Sequence, residues 1–311
     1  MNRLRVPILG AMCVGVAVGL AWGLAFPQNS LALSLIRAAC DVAAVATLGL
    51  VVVPAFDAER HRNELADRAA QPLIAVSAAW AIAELVRLFV GAAEAAGSAA
   101  ERVGVRTTVV FATDTSVGRA GLVCLAAAAV VCIIALAAPG SALPSSMLGV
   151  LAVGAAAIGV AGRSLVGHLS ESPLGGVAVA VHALAAALWC GALAALVLTV
   201  THRGQWARVL PRFSQVSFWC VGVLLLFGVV GAAVTLRSPT DLYATGYGRV
   251  LAAKVAVTVV LVVLAARYRA GWLSAARSHR ATVSVSQRRS RIELAIMAIA
   301  LSIAAALAVT G

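Results

Sequence analysis

Of the chain's 311 residues, 62% are apolar and only 12% charged, and the mean hydropathy is +1.00. That usage lies outside soluble domains and marks a polytopic membrane protein. The net charge of +12 does not indicate nucleic acid as a partner. The arginines sit in short gaps between apolar runs, where topology determinants are placed, and form no groove-lining patch.

A helix needs roughly 20 residues to cross the hydrocarbon core. Nine runs are long enough or nearly so, at about 6–26, 31–55, 72–92, 119–138, 144–162, 174–200, 213–236, 247–268 and 291–310. The expected fold is therefore all-α, a polytopic transmembrane helix bundle in contact with the lipid bilayer, with no soluble domain and no internal repeat. The first run follows Arg3 and Arg5 and is longer than the apolar region of a signal peptide, so it reads as an uncleaved span. Gly15 and Gly19 within it form a small-x-x-x-small packing signal. The polar segment 93–117 is too polar to span, and reads as a lid along the interface or a solvated loop.

Orientation follows from arginine in the short gaps. Arg3 and Arg5, then Arg60, Arg62 and Arg68, then Arg203, Arg208 and Arg212, and finally the arginine-rich 267–291 loop all fall on one side. Opposite gaps are nearly bare, holding Arg163 and Arg237, although the longer third gap carries Arg102 and Arg106. The expectation is N-terminus inside, C-terminus outside, in the plasma membrane. The six cysteines (Cys13, Cys40, Cys124, Cys132, Cys190 and Cys220) lie inside apolar runs without a C-x-x-C pair, and read as small packing residues.

Ionisable residues at membrane depth are costly and are candidates for function. Arg37 and Asp41 stand at i and i+4 in the second run, and Glu84 and Arg87 at i and i+3 in the third. Each pair either neutralises itself within its helix or cross-pairs as a clamp between helices. The alternative to a structural clamp is a polar wall along a pathway. His182 lies about 12 Å into the sixth run at 1.5 Å per residue, and Lys254, the only lysine, lies at a similar depth in the eighth. These two, with Arg37 and Asp41, are expected around one outward-opening cavity, with His168 and Glu171 at its mouth. A buried lysine can switch its charge, which suits proton coupling.

Three pieces of sequence form an ordered set. VHALAAALWCGAL (181–193) contains His182, Trp189 and Gly191; Arg212, Phe213 and Ser214 open the seventh run; and Tyr247, Gly248, Leu251 and Lys254 open the eighth. In order and spacing they resemble the membrane domain of the CopD family of bacterial copper-resistance proteins, over about residues 175–270. The resemblance implies an N-terminal five-span region, 1–170, and a CopD-like four-span region, 171–311. Some family members from high-GC bacteria carry a fused second membrane domain resembling oxidase assembly factors, and this chain stops where such a domain would begin.

The resemblance also implies copper ion as the cargo, taken from the outer side toward the cytoplasm or delivered to copper-enzyme assembly. A periplasmic or extracellular copper-binding protein and a cytochrome oxidase assembly factor are the implied partners. Imidazole suits copper, so His182 and His168 are the candidate ligands. Cys190, at i+8 from His182, serves only a second, deeper site. A scaffold or assembly factor without transport is the alternative. A haem or redox protein is disfavoured, since bis-histidine ligation needs two histidines at matched depth and only His182 is well inside a span. No HExxH or GxSxG motif points to an enzyme.

Overall fold

The structure is a computed structural model that describes residues 5–25, 30–138, 141, 145–165, 173–235, 238, 240–277 and 283–310. The described residues are helical, without a strand. The helices are α1 (Arg5–Ala25), α2 (Leu31–Val52), α3 (Arg62–Ala95), α4 (Val105–Asp114), α5 (Ser116–Ala137), α6 (Ser145–Ser164), α7 (Pro173–Thr199), α8 (Arg203–Thr235), the single turn α9 (Asp241–Ala244), α10 (Gly246–Arg277) and α11 (Val283–Thr310). Eight of them, α2, α3, α5 to α8, α10 and α11, are long and apolar enough to cross a membrane. The ninth expected span is α1, whose stretch Val14–Ala25 is apolar.

Sequence boundaries and helix ends differ mostly in one direction. Helices α3, α8 and α11 begin about 10 residues before the apolar runs do, because polar, arginine-bearing turns continue the helix beyond the apolar part. Pro72 and Pro211 look like natural starts but lie inside α3 and α8. A proline there removes one backbone hydrogen bond without ending the helix. Side-chain caps fix other ends: Ser30 accepts from Leu33 N–H, Thr115 from Gly118 N–H and Thr245 from Gly248 N–H.

Helix α2 is central, packing on α1, α3, α6, α7 and α11. Its crossing with α7 is set by two glycines. A Cβ on Gly191 would run into the Val45 carbonyl, and one on Gly49 into the carbonyl of Gly191. No other residue fits at that approach. By contrast, nothing stands within 4 Å of a Cβ built on Gly15 or Gly19. The packing signal in α1 is therefore not used among the described residues. The 93–117 segment is neither free loop nor span: α4 is a short helix seated on α3 and α5, with the Phe111 ring against Gly91 and its carbonyl against Gly118.

One face of the bundle is held by a polar clasp between the α2–α3 turn and the α7–α8 turn. Asp57 is buried and receives a two-pronged contact from Arg208, at 2.8 and 3.0 Å. Arg212 donates to the Asp57 carbonyl, and Phe213 meets Phe56 edge-on at 6.1 Å. Arg68 donates to Glu64, Thr201 and Gln205. Arg269 donates to the Ser214 carbonyl at 2.7 Å, tying in α10. The Arg-Phe-Ser entry motif thus docks α8 on its neighbours.

Candidate functional site

The intramembrane charges lie toward the bundle face opposite the clasp. Arg37, on the second turn of α2, donates to Asp41 at 3.2 Å. On α3, Arg87 donates to Glu84 at 2.9 Å. Both pairings are within one helix, and both are also joined across helices. Arg163, 6% exposed on the last turn of α6, donates to Asp41 at 3.0 Å and forms an ion pair with Glu84. Trp80 Nε1 adds a bond to Glu84 at 3.1 Å. By sequence Arg163 reads as an outer-gap residue because it closes an apolar run; the two carboxylates facing α6 are what draw it in.

This cluster holds three arginines and two carboxylates, a formal +1 if all are charged. Glu84 is fully buried, and its oxygens are met by Trp80, Arg87 and Arg163. Trp80 is itself seated against α6, where a Cβ on Gly159 would stand 2.5 Å from its ring. Such saturation is what a buried ion group needs to persist.

His182 and Lys254 form a second group on another set of helices. His182, half-buried on α7, has Nδ1 3.1 Å from the Leu224 carbonyl of α8. Its ring lies over Gly228, where an added Cβ would stand 3.4 Å from Cε1. Lys254 on α10 is near enough to act on His182 electrostatically. The two sit about 14 and 12 Å from their helix starts at about 1.5 Å per residue, so their depths match. Among the described residues Lys254 has no acidic partner. The structure joins neither residue to the Arg37–Asp41 cluster. His168 and Glu171 lie outside the described residues.

The remaining motif residues have structural surroundings. Trp189 is buried in the main core with no acceptor for its Nε1; Gly191 is the α2–α7 crossing; Gly248 is buried at the capped start of α10, with Tyr247 half-buried beside it. Among the described residues, no three His, Cys, Asp or Glu side chains are grouped to hold a metal ion.

Apolar spanning helices around an ion cluster whose carboxylates are paired, with a histidine and a lysine on other helices, define a polytopic integral membrane protein with ionisable groups inside the bundle. The family model described as copper resistance protein D-like, N-terminal domain, matches residues 28–173, and that of copper resistance protein D matches residues 207–307. The chain belongs to the copper resistance protein D family. Over 114 residues, 33% of this chain, it is 31% identical to the copper transport protein CutJ of Bacillus subtilis (strain 168). That stretch spans only 21% of CutJ's length. No solved structure matches the chain.

Proposed function

We propose that this protein moves or hands over copper within the plasma membrane, with His182 as the ligand inside the bundle. Family membership and the stretch shared with a copper transport protein support the cargo. The observation that carries the site is His182, half-buried in the seam of α7 and α8 beside a lysine that no described acid neutralises. A copper cation entering that seam meets positive charge in a medium where charge is costly. Copper arrival is therefore coupled to Lys254 giving up its proton or swinging away, which makes the transfer proton-linked. His168 is the proposed second ligand.

The arginine-bearing clasp face is assigned to the cytoplasm by the distribution of positive charge. His182 then lies nearer the outer side, where a periplasmic or extracellular copper-binding protein is the donor and a cytochrome oxidase assembly factor the recipient. The second reading, a scaffold without transport, is favoured by the ion cluster, since ion pairs joining α2, α3 and α6 fix helix register and need no cargo.

Copper binding and cellular copper content in wild type and His182→Ala separate the two. Lost stoichiometric binding and altered copper content at unchanged protein level support transfer. Unchanged binding and content remove His182 from the mechanism and leave the scaffold reading.

A further inference from the structure

Beside the clasp, on the same arginine-bearing face, aromatic rings and guanidinium groups alternate across three helices. Arg269 of α10 lies over the Phe218 ring of α8, 5.0 Å from its centroid, and donates to the Ser214 carbonyl at 2.7 Å. The preceding residue of α10, Tyr268, has Arg289 of α11 over its own ring at 5.6 Å. Trp219, 72% exposed, meets Phe218 edge-on at 5.8 Å. Ser214 stands where the apolar run 213–236 opens, Tyr268 where 247–268 closes and Arg289 just before 291–310. The row therefore lies at the level where apolar helix gives way to polar turns, the place of an interfacial aromatic belt. It also faces outward, since only 6% and 11% of the most apolar stretches of α8 and α10 are buried, against 50% for α2 and α7.

The arginines of this face differ in what neutralises them. Arg68 and Arg208 hold the carboxylates of Glu64 and Asp57. Among the described residues, no ion pair joins Arg267, Arg269, Arg288 or Arg289 to an acid. Solvated arginines that repel one another have no reason to share fixed positions, yet two of these four are held over rings. A ring covers one face of the guanidinium plane and leaves the in-plane N–H groups to other acceptors. At Arg269 the Ser214 carbonyl takes one of five such donors. Those that remain match the oxygens of a phosphate.

We propose that Arg269 and Arg289, held over Phe218 and Tyr268, bind the phosphate of an anionic phospholipid at the α8–α10–α11 edge of the bundle. The headgroup supplies the negative charge that the chain does not, as anionic lipid does for basic segments at a membrane surface. Phe218 and Trp219, one turn deeper than Ser214 on α8, give the acyl chains an apolar flank. The site is separate from His182 and does not rest on the copper reading.

The test is native mass spectrometry of the purified full chain in neutral detergent, titrated with phosphatidylglycerol or with phosphatidylcholine of the same acyl chains. Wild type is expected to prefer phosphatidylglycerol. Arg269→Gln and Arg289→Gln should each lower its affinity about fivefold and leave phosphatidylcholine binding unchanged. Phe218→Leu keeps every charge and should also weaken phosphatidylglycerol, because the guanidinium is no longer held. Arg203→Gln and Arg267→Gln remove the same charge from exposed positions outside the row and should change its affinity less than about twofold. Equal binding of the two lipids by wild type overturns the site. So does an equal loss in all four glutamine variants, which would mean a diffuse positive face. Should Arg269→Gln fail to fold without its tie to Ser214, Arg289→Gln and Phe218→Leu decide. Unchanged phosphatidylglycerol affinity in both overturns the site.

Discussion

Replacing Glu84 by glutamine removes one negative charge from the cluster of Arg37, Asp41, Glu84, Arg87 and Arg163 and changes its formal charge from +1 to +2. One more uncompensated cation deep in a bundle costs about 2.5–3.5 kcal/mol on insertion scales, and removing one partner of a buried pair costs about 3–5 kcal/mol. A loss of about 3 kcal/mol is therefore expected. Arg163→Met removes just as many ion pairs, to Asp41 and Glu84, yet takes the cluster from +1 to zero and leaves Arg37–Asp41 and Glu84–Arg87 intact. Its cost is expected to be about 1 kcal/mol or less. The buried free thiols of Cys40, Cys124, Cys190 and Cys220 supply the assay, since a thiol-reactive fluorophore reports their exposure as detergent-solubilised protein is heated. Glu84→Gln should melt well below Arg163→Met, and Arg163→Met close to wild type. Equal melting of the two variants, or the reverse order, would refute the reasoning from net charge and show that the bridging geometry of Arg163 contributes more to stability than charge balance does.

Gly191→Ala is expected to cost at least the 1–3 kcal/mol usual for overpacking, because the obstacle is the Val45 carbonyl and not a side chain. Gly222→Ala, where nothing lies within 4 Å, is the control and should hold or raise the melting temperature, since alanine favours helix by about 1 kcal/mol. Burial of Asp57 pushes its carboxyl up, but hydrogen bonds from Arg208 and the Ala58 N–H, with the Arg208 charge, more than offset this and hold it below the ordinary aspartate value. A depressed carboxylate stabilises the fold fully above its unfolded pKa of about 3.9 and loses that contribution as pH falls through the lower folded value. The gap in melting temperature between wild type and Asp57→Asn should thus be full at neutral pH and close in acid below that range. A gap independent of pH would count against the ionised clasp.

Helical class and eight of the nine expected spans were legible because apolar runs near 20 residues leave a chain little choice. Helix ends were less so, because Pro72 and Pro211 are breakers only by local preference, and the polar turns before them have tertiary partners such as Thr201 and Asp57. The pairs Arg37–Asp41 and Glu84–Arg87 followed from helical spacing alone. Arg163 did not, since its role depends on α6 meeting α2 and α3, a contact that no local pattern encodes. The matched depths of His182 and Lys254 followed from residue counts, and the structure brings the two within electrostatic reach. Their expected meeting with Arg37 and Asp41 used the same arithmetic but needed a lateral position, which depth does not supply. Glu293 falls at the edge of the last expected span, beside arginines at 288, 289 and 291, where position alone does not tell a buried acid from an exposed one; in the fold it is buried.

Degree of pairing sorts the intramembrane polar groups more usefully than charge does. Every carboxylate of the Arg37–Arg163 cluster has at least two donors, so a metal ion or proton arriving there would have to break contacts already made. His182 has a single backbone partner, and among the described residues Lys254 has no acidic partner and Glu293 no hydrogen bond or ion pair. Burying such groups unpaired opposes folding, and an element that merely fixed helix register would be more stable with them replaced by apolar residues. These groups stand on α7, α10 and α11, apart from the cluster on α2, α3 and α6, whose carboxylates are already paired.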